Sequence, residues 1–379
     1  MTLLRIELQN QLFAILNSCC TKDILPYASC IDIHGIRKLD GQGRSSVMYS
    51  FYATFSSGDS EQQDKFILRL YKEGHQEKGR KEFALVNVLK EKNIPVPTAY
   101  WFEENNAALG KSFMIMEQIA AKDATFYLND EESAKYIVKK MAKCLAMIHN
   151  VELYHIENSD VLGRQCEHRQ KWLLEISSFI NKRCPRFLGF CPSSQRRFIE
   201  AVKRLGHMEP KKVPLRLVHL DYEPNHVLVL NGRCVVVDWG EASVGDPAYD
   251  VAWTYHKLRL GREKAKIDLG EYFVNCYEKY CGQKLVNLQF FKDMVAIEMA
   301  KWCGLSPFHD NRFTNYRKLL ALFFGDVVGE ITRSMYVRRL RRLMAGHHTS
   351  IWTNINYIQS YALQYLENDR YKTMESAEI

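Results

Sequence analysis

The 379-residue sequence lacks any apolar run as long as the ~18 residues that a membrane-spanning helix needs. It lacks a Cys-x-x-Cys pair as well. Its 11 cysteines are odd in number and irregularly spaced, which argues against a disulfide framework; they read as reduced core thiols of a cytoplasmic protein. The opening segment carries Arg5 and Glu7 and only a short apolar run, LFAIL, too brief and interrupted for a secretory signal. Internal repeats and low-complexity tracts are absent. An excess of one charge is nearly absent too: 52 basic against 44 acidic residues leave +8, which suits an anionic ligand such as a nucleotide and does not call for nucleic acid. What is present is a globular composition, 46% hydrophobic and 25% charged, in a chain long enough for two lobes.

Residues 31–117 alternate as strands do. SVMYSFYATF (46–55) and KFILRLY (65–71) have the period and the β-branched or aromatic content, with GDS (58–60) as the turn between them. KEFALVNVLKEKN (81–93) predicts a helix with Phe83, Ala84, Val88 and Leu89 on its apolar face, stopped by IPVP at 94–97. YWF (100–102) and SFMIMEQ (112–118) predict two more strands. From about residue 130 the pattern turns helical, with ESAKYIVKKMAKCLAMIHN (132–150) strongly amphipathic, 165–207 helical, and nearly everything after 248 helical. The expectation is an α+β chain: a small β-rich N-terminal lobe over 1–117, a connector near 118–123, and a large, mostly helical C-terminal lobe over 118–379.

The residues that carry chemistry gather in HLDYEPNHVLV (219–229) and VVVDWGEASVGDP (235–247). Asp221, held in a turn before a short strand, can accept the proton of an attacking hydroxyl. Asp238 ends the next apolar strand, 17 residues on, where a carboxylate can hold a cation that bridges phosphates. Arg69 lies on the KFILRLY strand and Glu82 follows 13 residues later in the helix, a cation for phosphates and a carboxylate to orient it. The segment LDGQGRSSVMY (39–49) could cover phosphates, with Gly41 and Gly43 allowing close approach and Ser45 and Ser46 offering hydroxyls. Asp246 reads as a helix cap, and Asp250 as a tie for the loop of Asp221. The basic stretch RSMYVRRLRRL (333–343) reads as a solvated helix face, and His347 and His348 as loop residues.

Taken together, these segments resemble the aminoglycoside phosphotransferase family, whose fold is like that of protein kinases. FILRLY, the Glu82–helix–Pro95-x-Pro97 spacing, the helix ending in Ile148–His149, and the two Asp segments match in order. The resemblance implies ATP- or GTP-dependent transfer of the γ-phosphoryl group to a hydroxyl of a small molecule of aminoglycoside, sugar or amino-alcohol type. Asp221 would be the base and Asp238 the Mg²⁺ ligand, and backbone groups near Gln118 and Ile119 would meet the adenine. The departure is His226, which stands where the family's loop keeps Asn, with Asn225 just before it. Either is a candidate metal ligand, and an imidazole would favour Mn²⁺. Glu223 and Glu241 are candidates for contact with the substrate. The alternative is a nucleotide-binding pseudokinase or regulatory module, which His226 alone favours. The chain from Asp238 straight into GDPAYD leaves no room for a protein kinase's activation loop.

Overall fold

The structure is a computed structural model and describes residues 2–22, 24–39, 45–57, 60–106, 109–153, 202–203, 205–259 and 266–305. Gly41 and Gly43, most of the 165–207 stretch, the basic segment 333–343 and His347 and His348 lie outside the described residues. The chain divides into two compact units, Met1–Gly163 with Arg216–Val244, and Arg164–Leu215 with Gly245–Ile379.

The first unit is built on a five-stranded antiparallel sheet in the order β1 (Ser29–Lys38), β2 (Ser46–Ser57), β3 (Ser60–Tyr71), β5 (Lys111–Glu117), β4 (Ala99–Asn106). The alternation of β3 sorts its side chains. Phe66 and Leu68 enter a core with Phe51, Phe55 and Phe113, while Arg69 and Tyr71 are buried beside Glu82 of α2 (Gln76–Glu91). The N-terminal segment, which carries no helix signal strong enough to stand out in the sequence, forms α1 (Thr2–Thr21). Leu12, Ile15, Leu16 and Cys19 recur at helical spacing and pack into the same core.

The apolar face of α2 differs from the expected one. Phe83, Ala84 and Val88 are only half-buried, and the buried stripe runs through Gly79, Glu82, Leu85, Val86 and Leu89. The shift has a physical cause: Glu82 must face Arg69, and the helix buries whatever lies three, four and seven residues from it. Gly79 permits the approach, since a Cβ there would stand 2.7 Å from the Tyr71 ring and 2.8 Å from Phe102.

A second, smaller sheet in this unit orders β6 (Lys122–Asp123), β8 (Val227–Leu230) and β9 (Arg233–Val236). Asn231 and Gly232, with φ of 51° and 72°, close the β8–β9 hairpin as the primed two-residue turn that Asn-Gly favours. α3 (Glu131–His149) begins at Asp130, whose carboxylate accepts from the Ser133 N–H at 2.8 Å. Its face of Ile137, Val138, Met141, Leu145 and Ile148 is buried. β7 (Arg216–Val218) leads into the loop of Asp221 and pairs with β10 (Ser243–Gly245).

The second unit contains α4 (Ala248–Arg259), α5 (Leu269–Cys281) and α6 (Leu288–Leu305). Asp246 caps α4, as the sequence suggested, accepting from the Ala248 N–H at 2.9 Å and from Asn287 at 2.7 Å. Asp250 is fully buried in α4. No helix among the described residues is long and apolar enough to cross a membrane. Cys19, Cys20, Cys30, Cys144, Cys234, Cys276 and Cys281 are free thiols, the first five of them buried, and burial pushes Cys19 up to about 11 and Cys30, Cys144 and Cys234 up to about 12.

Candidate active site

Arg69 sits in the middle strand of the large sheet, paired in register with Met48 of β2 and Met114 of β5. Its guanidinium is buried and spends three N–H groups on three elements. Nη1 donates to Glu82 Oε1 at 2.6 Å, Nη2 to Asp238 Oδ1 at 2.8 Å, and Nε to Ser46 Oγ at 3.0 Å. The second oxygen of Glu82 accepts from the Tyr71 hydroxyl at 3.1 Å. Burial works to lower the Arg69 pKa, but the facing carboxylates overrule it and push it up, so the cation is permanent. The expected Arg69–Glu82 pair therefore forms, and it extends to Asp238. Ser46 supports the guanidinium, and Ser45, also buried, accepts the Lys72 N–H at its carbonyl.

The loop of Asp221 is fixed from both sides by histidines. The Asp221 N–H donates to His219 Nδ1 at 3.3 Å, so the proton of that ring is on Nε2, which donates to the Val237 carbonyl at 3.1 Å. This ties the residue before Asp238 to the loop of Asp221. The His219 ring also packs on Trp239, with centroids 4.6 Å apart. His226 Nδ1 lies 2.9 Å from the Asp221 carbonyl and 3.5 Å from Asp221 Oδ2. Two residues of this site hold left-handed backbone, Leu220 at φ 63° and Asp238 at φ 65°. Neither is a glycine, and such strain persists only where the surroundings over-determine it. Here it turns the carboxylates of Asp221 and Asp238 to the same imidazole.

The other nitrogen of that imidazole, Nε2, is 3.8 Å from Asp238 Oδ2 and 3.9 Å from Glu223 Oε1. Burial pushes the His226 pKa down, but Asp221 first and then Glu223 outweigh it and raise it above its ordinary value. Burial alone would raise the Asp238 carboxyl, whereas the Arg69 guanidinium beside it holds it at about 2. Asp238 is therefore anionic throughout the neutral range.

The remaining expected residues fall as follows. Glu223 is buried against His226. Asn225 is exposed, and its amide reaches Glu223 Oε1 at 3.5 Å. Glu241 is exposed and pairs with Lys78 of α2 at 2.5 Å. In the connector, the Gln118 N–H donates to the Lys65 carbonyl at 3.0 Å, and the Ile119 carbonyl accepts from Ala121 at 2.9 Å. Three contributors escaped the sequence reading: Tyr71, His219 and Lys78. Lys78 had a signal, since it lies four residues before Glu82 and so on the same helix face. His219 had one in standing two residues before Asp221.

A buried strand cation with a helix carboxylate, a loop Asp and a strand-end Asp on an α+β fold is the arrangement that phosphoryl transfer in kinase-like folds calls for. Residues 49–280, more than half of the chain, match the phosphotransferase enzyme family, and the chain belongs to that family. Among curated proteins it is similar to protein LicA of Haemophilus influenzae (26% identity over 183 residues, 47% of this chain) and to mouse acyl-CoA dehydrogenase family member 10 (24% over 184 residues, 46% of this chain). The matched stretches span 62% of the former and 16% of the latter. Among solved structures it shares its fold with a spectinomycin phosphotransferase in complex with ADP and spectinomycin, at TM-score 0.55 and 17% identity, covering 83% of this chain and 93% of that one.

Proposed function

We propose that the chain transfers the γ-phosphoryl group of ATP or GTP to a hydroxyl of a small molecule of aminoglycoside, sugar or amino-alcohol type. The observation that carries the reading is the joint placement of Asp221 and Asp238 around one imidazole, with Arg69 locked to Asp238 by a 2.8 Å ion pair. Asp221 is the proton acceptor: its carboxylate stands in a loop braced by His219 and His226, and it takes the proton of the acceptor hydroxyl as that oxygen bonds to the γ-phosphorus and the bond to the departing nucleoside diphosphate breaks. Arg69 neutralises phosphate oxygens, and Glu82 with Ser46 fixes its fork. The relative crystallised with ADP and spectinomycin supports both the nucleotide and the small acceptor.

The family implies Mg²⁺, and the donor set fits it. Asp238 is anionic, and one donor atom each from Asp221, Glu223 and His226 lie within 4.8 Å of one another. Asp238 would hold the ion, which when bound screens the phosphate charges. Left-handed backbone at Asp238 sends Oδ1 to Arg69 and leaves Oδ2 facing His226.

The test is a nucleotide-consumption screen over hydroxyl compounds, with Asp221→Asn as control. An amide cannot take a hydroxyl proton, so turnover should fall by ~10²–10⁴-fold while nucleotide still binds. A loss of less than about tenfold would remove Asp221 from the base role.

A further inference from the structure

We infer that Tyr71 is a positioning residue for the phosphate contacts of the nucleotide: its hydroxyl aims Glu82, and Glu82 aims the guanidinium of Arg69. Arg69 and Tyr71 are two residues apart on β3, so both project from the same face of the strand. There each meets one oxygen of the same carboxylate. Arg69 Nη1 donates to Glu82 Oε1 at 2.6 Å, and the Tyr71 hydroxyl donates to Glu82 Oε2 at 3.1 Å. A carboxylate held at one oxygen can still turn about its last torsion, which is broad for glutamate. Held at both oxygens, its plane is fixed, and with it the direction in which the planar guanidinium meets it. The other arms of that guanidinium go to Asp238 at 2.8 Å and Ser46 at 3.0 Å, so an error of angle at Glu82 would be passed on to Asp238.

Helix α2 is shaped for the phenol ring. Gly79 stands three residues before Glu82 and hence on the same helix face. A Cβ there would stand 2.7 Å from the Tyr71 ring. Glycine inside a helix is unfavourable relative to alanine. Here it admits a ring whose hydroxyl reaches the carboxylate one turn further on. Phe102 of β4 packs edge-on against the ring, with centroids 6.1 Å apart, and the Arg69 Cζ lies 5.5 Å from the ring centre. Packing alone would be served by phenylalanine. The hydroxyl adds a donor for a buried anionic oxygen, which is costly to leave without one. Burial, with the charge of Glu82, holds the Tyr71 phenol well above its ordinary value, so it keeps its proton and remains a donor. The inference rests on the reading of Arg69 as the cation for phosphates.

The test is calorimetric binding of ATP and of adenosine to the whole chain, with GTP and guanosine in parallel. Tyr71→Phe keeps the ring and removes only the hydroxyl. It should weaken the triphosphate about tenfold, the lower end of what a hydrogen bond to a charged group is worth, and change nucleoside affinity less than about twofold. Gly79→Ala keeps the hydroxyl but displaces the ring, and should weaken the triphosphate in the same selective way. Unchanged triphosphate affinity in Tyr71→Phe overturns the inference and leaves Tyr71 as packing. An equal loss for triphosphate and nucleoside overturns it too. If the unsubstituted chain binds neither triphosphate better than its nucleoside, the reading of Arg69 as the phosphate cation falls, and the inference falls with it.

Discussion

At the scale of single residues, Arg69 is a buried structural residue to which the proposed function also gives a part in the chemistry. Its pair with Glu82 is buried on both sides, with side-chain exposures of 7% and 1%. Removing one partner of a buried pair strands the other, at a cost of ~3–5 kcal/mol. Arg69→Ala should therefore lower the urea midpoint strongly, and the loss of nucleotide binding in that variant would be uninformative by itself. Arg69→Met combined with Glu82→Leu removes both charges and leaves two apolar side chains in the space. We expect this double variant to recover most of the stability and none of the nucleotide affinity. If affinity returned with stability, Arg69 would be a structural residue only. Arg69→Lys separates the roles further. A lysine keeps the charge but cannot hold Glu82, Asp238 and Ser46 in one planar fork, so affinity for the triphosphate should drop more than affinity for the nucleoside.

At the scale of elements, α2 is fastened to the turn after β9 in two places. One is Glu82 to Arg69 to Asp238; the other is Lys78, whose ammonium meets Glu241 at 2.5 Å. The stem of Lys78 also lies across Gly240, where a Cβ would stand 2.2 Å from its Cε. An exposed ion pair contributes at most about 1 kcal/mol, so Lys78→Ala should barely change thermal stability. It should still weaken nucleotide binding by loosening the turn that aims Asp238. Gly240→Ala should do the same by pushing Lys78 aside. Because both act through one contact, the double variant Lys78→Ala/Gly240→Ala should bind no worse than the weaker single variant. A double-mutant cycle on nucleotide affinity with strictly additive losses would show that the contact has no such role. The sequence could not reveal this fastening, because Lys78 and Glu241 are 163 positions apart and neither belongs to a repeating pattern. Arg69, Glu82, Asp221 and Asp238 were legible because each stands at a fixed offset within one strand, one helix or one hairpin. The register of α2 was misread because periodicity assigns burial to apolar residues, and here a glutamate takes a buried position. α1 went unread for a related reason: its short LFAIL run acquires its meaning from the sheet it covers.

At the scale of the whole molecule, the response of stability to pH is set by groups of opposite sign. Asp238, held at about 2 by Arg69, stabilises the fold above the ordinary carboxylate range and loses that contribution only as pH falls towards 2. His226, raised above its ordinary value, favours the fold below that value and loses this as pH rises through the raised one. His256 of α4 works the other way and dominates the mildly acidic range. It is fully buried, with Nε2 2.8 Å from the Lys292 carbonyl, and burial pushes its pKa down to about 3, helped by the cations Lys292 and Arg259. The unfolded chain therefore takes up this proton first, and stability falls as pH drops below the unperturbed value of ~6.5. By pH ~5 the loss should reach about 2 kcal/mol, from 1.4 kcal/mol for each pH unit below ~6.5. Unfolding midpoints at pH ~7.5 and ~5 would show it as a marked drop in the acidic sample. In His256→Gln, whose amide can still donate to the Lys292 carbonyl but does not titrate, the drop should shrink by about that amount. A drop of the same size in His256→Gln would assign the acid sensitivity to other groups and leave the buried imidazole of α4 without influence on it.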